Sequence, residues 1–174
     1  MLERVVAAAP LLPIALLLPL ALPAPAHAQK LLFVVRHAER ADGGAATGQM
    51  QAQTDPPLSA EGARRAARLA ALLADAGLTA IYATEYRRTQ DTAEPLAAKI
   101  GLEVRTIGAR DQAALVSALK TRHADDVVLV VGHSNTVPAL VQAFGGPAVT
   151  IADDEYSNLF IVVPATGTVT RIRY

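Results

Sequence analysis

Short, continuous apolar runs alternate along this chain with longer stretches in which apolar residues recur at helical spacing. The runs at 31–35 and 127–131 contain only apolar residues, which is typical of strands buried on both faces of a sheet. The stretches between the runs are rich in alanine, a strong helix former. This alternation predicts an α/β fold, a three-layer sandwich in which helices cover both faces of a mostly parallel central sheet.

Start and stop signals give the approximate bounds of each element. We expect strands at 30–36, 81–83, 104–107, 127–131, 158–163 and 168–172. We expect helices at 60–77, capped by Ser59, at 88–100, at 111–121, and from the residues after His133 to Phe144, with loop at 41–57. Gly101 is expected to end the second helix. The turn at 164–167 predicts that the last two strands form a hairpin, which gives the sheet an antiparallel edge.

Residues 1–28 have the pattern of a secretory signal peptide. Arg4 precedes the apolar run 11–20, and Ala26-His27-Ala28 has the small-x-small form of a signal-peptidase site. Five prolines in this leader disfavour a stable membrane-spanning helix. We therefore expect cleavage after Ala28, one mature domain at 29–174 and a periplasmic or secreted location; an uncleaved anchor is the alternative.

Composition excludes several classes of function. The 16 basic and 16 acidic residues balance, so no global basic field indicates a nucleic-acid partner. The absence of cysteine excludes disulfides and thiol catalysis. Composition leaves the oligomeric state open.

A histidine stands where the first apolar run ends. His37 lies between Arg36 and Arg40, at the sheet edge where open α/β folds bind ligands. Arginines supply charge and fork-shaped donors for a phosphate dianion, and they disfavour the imidazolium form. The pattern indicates a neutral, nucleophilic imidazole; an ordinary strand end with solvated charges is the alternative.

The second fully apolar run also ends at a histidine. His133 follows Gly132, and Ser134 or Asn135 is expected to cap the next helix, whose first amides would point at an anion. His123, by contrast, has the setting of a solvated residue at a helix end.

Four segments, in this order along the chain, resemble the motifs of the histidine phosphatase superfamily. Arg36-His37-Ala38 resembles its Arg-His-Gly signature, and 58–66 resembles its Leu-Ser-x-x-Gly-x-x-x-Ala helix start. The segment 84–93 resembles Ser-x-x-x-Arg-Ala-x-x-Thr-Ala, and 132–135 resembles the Gly-His-x-x box. The resemblance covers essentially all of the chain from Lys30 to Tyr174.

This resemblance implies a phosphoglycerate mutase-like fold and a role for each motif residue. His37 is the expected nucleophile, and Arg36, Arg88 and His133 are expected to surround the phosphoryl oxygens, with Arg40 as a further phosphate ligand. It implies a phosphatase that needs no metal or cofactor and acts on a small phosphorylated substrate, a phosphomonoester or phosphoramidate. Arg88 rather than Arg87 is in register when Thr92-Ala93 is aligned with the family's Thr-Ala.

The chain departs from the family pattern at two positions and leaves one role unassigned. Ala38 replaces the usual glycine, and Thr84 replaces the usual serine while keeping its hydroxyl. The general acid is not evident, since the segment that often carries it is short. Asp111 is the first candidate and Glu85 the second, and Asp111 is also the expected N-cap of a helix.

Three alternatives share parts of this pattern: a binding module, a phosphomutase and a metal site. A phosphate- or phosphosugar-binding module would keep the pocket without turnover, and a phosphomutase would use the same nucleophile. A metal site built from His37, His133 and the carboxylates of 153–155 conflicts with the neighbouring arginines, which would repel a divalent cation.

Overall fold

A computed structural model describes residues 31–42 and 55–174, and strands and helices alternate through these ranges. The strands are β1 (Leu31–Arg36), β2 (Ala80–Thr84), β3 (Val104–Ile107), β4 (Val127–Gly132), β5 (Asn158–Val163) and β6 (Thr168–Arg173). The helices are α1 (Ala60–Leu73), α2 (Arg87–Ile100), α3 (Gln112–Arg122) and α4 (Thr136–Ala143). The predicted leader, 1–28, and most of the predicted loop at 41–57 lie outside the described residues.

The strands form one sheet in the order β3-β2-β4-β1-β5-β6. The pairs β2–β3, β2–β4 and β1–β4 are parallel, whereas β5 is antiparallel to both β1 and β6. The predicted mostly parallel sheet with an antiparallel hairpin at its edge is therefore confirmed. Because β1 and β4 are central neighbours, the residues that follow them meet at one edge.

Helices cover both faces of the sheet, as predicted for a three-layer sandwich. Alternate residues of β1 point to opposite faces: Phe33 and Val35 pack with α1 and α2, whereas Leu32 and Val34 pack with α3 and α4. Both cores are apolar and closed to solvent, which explains why β1 and β4 carry no polar residue before their last positions.

The N-terminus of α1 holds the loop that follows β1. Ser59 caps α1 through a 3.0 Å bond from the Gly62 amide, as predicted, and its own amide donates to the Glu39 carbonyl at 2.9 Å. A Cβ on Gly62 would lie 2.2 Å from that carbonyl, so only glycine permits this approach. The Arg65 guanidinium also binds the Glu39 carboxylate, with bonds of 2.6 to 2.9 Å.

Some predicted details differ from the structure. Helix α1 ends at Leu73 instead of 77, because a turn precedes Gly77, which adopts a positive φ of 69°. Helix α2 ends as predicted at Gly101, in the left-handed conformation. Among the described residues no helix has the length and apolar character needed to cross a bilayer.

The expectation for His123 was wrong. Its side chain is 5% exposed at the end of α3, where Nδ1 lies 2.6 Å from the Asp126 carboxylate. Nε2 lies 3.0 Å from the Tyr82 hydroxyl and 3.1 Å from the Arg105 guanidinium. The burial of His123 could not be predicted from its neighbours in sequence, because its partners in β2 and β3 are 41 and 18 positions away.

Candidate active site

The ends of β1 and β4 bring two histidines together. Arg36 pairs with Gly132 in the parallel register, and the His37 amide donates to the Gly132 carbonyl at 2.9 Å. The rings of His37 and His133 lie edge to face with centroids 5.4 Å apart. The convergence predicted from two apolar runs ending in histidine is therefore present.

The His37 ring is held with one nitrogen committed to the backbone. Nδ1 lies 2.8 Å from the Ala38 carbonyl, and because a carbonyl only accepts, Nδ1 carries the proton. Nε2 then has the lone pair, and no described residue forms a hydrogen bond with it. The Ala38 amide is bound in turn by the Thr92 hydroxyl on α2 at 2.9 Å. This arrangement presents a nucleophilic nitrogen on a fixed ring.

The neutral form of His37 is strongly favoured. Burial lowers its pKa to about 3, opposed by the bond to Ala38, with smaller lowering contributions from His133, Arg88 and Arg36. The predicted direction is correct, although burial outweighs the arginines as its cause. A ring that is neutral at physiological pH is competent for nucleophilic attack.

His133 is anchored on both its ring and its backbone. Nε2 lies 2.9 Å from the Thr84 hydroxyl, and the main-chain amide donates to the Thr136 hydroxyl at 2.8 Å. Burial lowers the pKa of His133 to about 4, aided by Arg88 and opposed by Glu85. Asn135 occupies the N-cap position of α4, as predicted, but its side chain makes no capping bond, and the Thr136 hydroxyl holds the turn instead.

A turn between α4 and β5 orients Arg36. Its Nη1 donates to the carbonyls of Ala152 and Asp153 at 2.9 Å and of Glu155 at 3.3 Å. The guanidinium carbon lies 4.1 Å above the centre of the Tyr156 ring. The Nε is buried and makes no hydrogen bond with a described residue.

Arg88 and Arg40 add to the positive charge that Arg36 brings to the site. Arg88 lies over the Tyr86 ring at 4.2 Å and approaches Asp55 at 3.4 Å, while Arg40 forms an ion pair with Asp42. Burial, and then the charge of Arg40, lowers the pKa of Arg88. The Nε atoms of both arginines are buried and lack a partner among the described residues. Three buried guanidinium donors without acceptors fit an anion-binding pocket.

The two candidate general acids occupy different places. Glu85 accepts a 2.7 Å bond from the Ala109 amide, and its charge raises the pKa of His133, so it lies near that histidine. Asp111 begins α3 with its carboxylate turned over Gly108 and makes no capping hydrogen bond. An open cavity of about 270 Å³ lies against Arg88 and His133 and is also lined by 109–110 and 135–136.

The sequence model for the histidine phosphatase superfamily (branch 1) matches residues 32–109. The resemblance predicted from the sequence motifs is confirmed over these residues, which are just under half of the chain. A Yersinia enterocolitica protein named "probable phosphoglycerate mutase GpmB" is 40% identical over 75 residues, which are 43% of this chain and 34% of that protein. The match therefore spans about a third of that relative.

Solved structures of two phosphatases share the fold at low sequence identity. A mycobacterial glucosyl-3-phosphoglycerate phosphatase aligns over 83% of this chain and 97% of its own, with a TM-score of 0.60 and 16% identity. The protein histidine phosphatase SixA, solved with tungstate, aligns over 82% and 94%, with a TM-score of 0.58 and 19% identity. These likenesses concern the fold.

The departures from the superfamily pattern are accommodated without strain. Ala38 is fully buried, and no described residue other than glycine has a positive φ, so a Cβ fits there. Thr84 uses its hydroxyl to reach His133. The described residues form no cluster of three metal ligands, and the Glu155 carboxylate instead binds the arginines of β6.

Sequence reasoning missed the residues that hold the site together. Thr92 and Thr136 fix the backbone of the two histidine turns, and Tyr156 carries the Arg36 guanidinium. Thr92 lies within the 84–93 segment, and Thr136 directly follows the 132–135 box, so both had a usable local signal. Tyr156 follows an irregular acidic stretch and stands 120 positions after Arg36, so no local pattern connects the two.

Proposed function

We propose that this protein is a metal-independent phosphatase that hydrolyses phosphomonoesters or phosphoramidates through a phosphohistidine on His37. One observation carries the proposal: His37 keeps Nδ1 bound to the backbone and Nε2 free, next to buried arginine donors that lack an acceptor. Fixed donors around a phosphoryl group stabilise the charge on its equatorial oxygens without a metal.

The reaction has two displacements at phosphorus. In the first, the Nε2 lone pair of His37 forms a P–N bond while the bond to the leaving oxygen or nitrogen breaks. In the second, water attacks phosphorus and gives a proton to the carboxylate that served as acid in the first step, while the P–N bond breaks and inorganic phosphate leaves. Arg36, Arg88 and His133 contact the transferred group in both steps, and Arg40 adds positive charge.

Glu85 is the better placed of the two candidate acids. Its Oε2 is bound by the Ala109 amide, so Oε1 would carry the proton given to the leaving group. The cavity beside Arg88 and His133 would hold that leaving group. Good leaving groups, such as the nitrogen of a phosphoramidate or an aryl oxygen, would need this acid least.

The direct test is hydrolysis of para-nitrophenyl phosphate by residues 29–174 with EDTA present. The proposal predicts full activity, and loss of activity restored by a divalent cation would contradict it. Binding of tungstate without any turnover would instead support the binding-module alternative.

A phosphomutase is the second candidate, because the Yersinia relative is named a probable phosphoglycerate mutase. The match covers about a third of that relative. Incubation with 3-phosphoglycerate separates the two activities. Release of inorganic phosphate supports a phosphatase, whereas formation of 2-phosphoglycerate without phosphate release supports a mutase.

We also propose that the enzyme works outside the cytoplasm, in the periplasm or the medium. The support is the pattern of residues 1–28, with its apolar run and Ala26-His27-Ala28. N-terminal sequencing of the exported protein should begin at Gln29. A retained leader would indicate a membrane anchor instead.

A further inference from the structure

A chain of hydroxyl groups leads from His133 into the first turn of α2. The His133 Nε2 lies 2.9 Å from the Thr84 hydroxyl, which lies 2.8 Å from the Thr89 hydroxyl. Thr89 in turn lies 2.6 Å from the Tyr86 carbonyl and 3.0 Å from the Thr84 carbonyl. Thr84 and Thr89 are both buried, and Thr89 is 0% exposed, so water does not compete for these bonds.

The carbonyl at the end of this chain fixes the direction of every proton. A carbonyl only accepts, so the single hydroxyl proton of Thr89 points to the backbone. The Thr89 oxygen is then the acceptor for the Thr84 hydroxyl proton. The Thr84 oxygen can only accept from the ring, which places a proton on Nε2 of His133.

The opposite nitrogen of His133 is left with the lone pair. In the neutral ring one nitrogen carries the proton and the other does not, so Nδ1 is unprotonated. No described residue forms a hydrogen bond with Nδ1. The ring borders both His37 and the cavity beside Arg88.

We propose that Thr89 is a positioning residue: through Thr84 it holds the His133 proton on Nε2, so that Nδ1 takes up a proton when a phosphoryl dianion binds. The inference deepens the proposed function, because it assumes that the pocket binds such a group. The proton comes from solvent, and the resulting imidazolium donates from Nε2 to Thr84 and from Nδ1 to a phosphoryl oxygen.

The charges around His133 fit this exchange. Burial and the nearby cations keep the free ring neutral, with a pKa of about 4. The titratable and charged groups that face it are Arg36 at the end of β1, His37 just after it, Glu85 and Tyr86 before α2, Arg88 on α2, Arg110 across the cavity, and Asp55. A bound dianion adds two negative charges, which offset the arginines and raise the pKa.

The residue type at position 89 is informative. The superfamily pattern to which this segment was aligned has alanine there, next to the pocket arginine. Alanine would leave the Thr84 hydroxyl without its acceptor, free to donate to Nε2 and so to select the other tautomer. The threonine therefore adds a constraint on His133 that the motif alone does not supply.

The first test is the tautomer of His133 in the free protein, read from ¹⁵N shifts and two-bond couplings of the full chain. Wild type and Thr89→Ser should show the proton on Nε2. Thr89→Val keeps the buried shape but loses the hydroxyl, and it should shift the ring towards the Nδ1–H form. A wild-type ring protonated on Nδ1, or an unchanged tautomer in Thr89→Val, would overturn the proposal.

The second test is proton uptake on binding tungstate, from calorimetry in two buffers of different ionisation enthalpy. Wild type and Thr89→Ser should take up close to one proton for each tungstate bound at pH 7. Thr89→Val should take up much less, because its Nδ1 is already a donor. Thr121→Val is the matched control, since Thr121 bonds only to a carbonyl of its own helix, α3.

Equal uptake in Thr89→Val and wild type would contradict the role of Thr89. Neither test uses turnover, so a protein that binds tungstate but hydrolyses nothing would overturn the proposed function and leave this inference standing.

Discussion

His37 and His123 are both buried imidazoles, yet their surroundings differ in one decisive respect. Both ring nitrogens of His123 have protein partners, in Asp126, Tyr82 and Arg105. His37 uses Nδ1 only, and its other nitrogen faces no protein acceptor or donor among the described residues. Burial alone therefore does not make a reactive histidine. A free nitrogen beside arginine donors that lack acceptors distinguishes the site proposed to be reactive from the structural one.

Removing each imidazole should separate chemistry from stability. His37→Ala should lower kcat by about a thousandfold or more, because the covalent step has no other nucleophile. It should still bind tungstate through the arginines. His123→Ala should leave kcat nearly unchanged and lower the free energy of unfolding by about 2 kcal/mol, since Asp126, Tyr82 and Arg105 lose their partner. Kinetics and urea unfolding measure both; a large kcat loss in the His123 variant would undo the distinction.

The neighbouring residues Arg87 and Arg88 on α2 should also differ in their effect on activity. Arg88→Ala should lower kcat/KM about a hundredfold, the loss of roughly 3 kcal/mol expected for one donor to the transition state. Arg87→Ala should have little effect, because its side chain is exposed and pairs with Asp91. Side-by-side kinetics of the two variants decide this. Equal losses would mean that the register of this helix start is misassigned.

Substituting the two candidate acids separately shows which of them belongs to the proposed active site. Glu85→Gln should slow an alkyl phosphate about tenfold or more while barely changing nitrophenyl phosphate, whose leaving group needs little protonation. Asp111→Asn should leave the ratio of alkyl to aryl rates unchanged, because its carboxylate lies over Gly108. The ratio measured on both variants is the deciding quantity, and a shift confined to Asp111→Asn would transfer the role to that residue.

The pH dependence of stability should carry the signature of the two site histidines. Their pKa values fall from 6.5 to about 3 for His37 and about 4 for His133, so between these values the unfolded chain binds more protons. Their stabilising contribution is complete above pH 6.5 and is lost as the pH falls, towards 4 for His133 and towards 3 for His37. Each contributes a slope of at most about 1.4 kcal/mol per pH unit. His37→Asn should reduce the slope of unfolding free energy between pH 4.5 and 6; an unchanged slope would contradict the neutral, buried state of His37.

The sequence allowed the sheet, its antiparallel edge and the meeting of the two histidines to be predicted, because apolar runs and their ends are local signals. It did not reveal what orients the side chains. Arg36 is held by carbonyls 116 to 119 positions away, and a backbone carbonyl leaves no trace in residue identity. The expectation that His123 is solvated failed for the same reason: its neighbours in sequence are polar, whereas Tyr82 and Arg105 bind it from distant strands.

The measurement that tests the central claim most directly is trapping of the phosphoenzyme. The protein is mixed with ³²P-labelled substrate, denatured within the first turnover and digested, and the labelled peptide is sequenced. The account predicts an acid-labile, base-stable label on the peptide that contains His37, and no label in His37→Ala. Label on serine or on His133, or wild-type turnover with no trapped label, would contradict it.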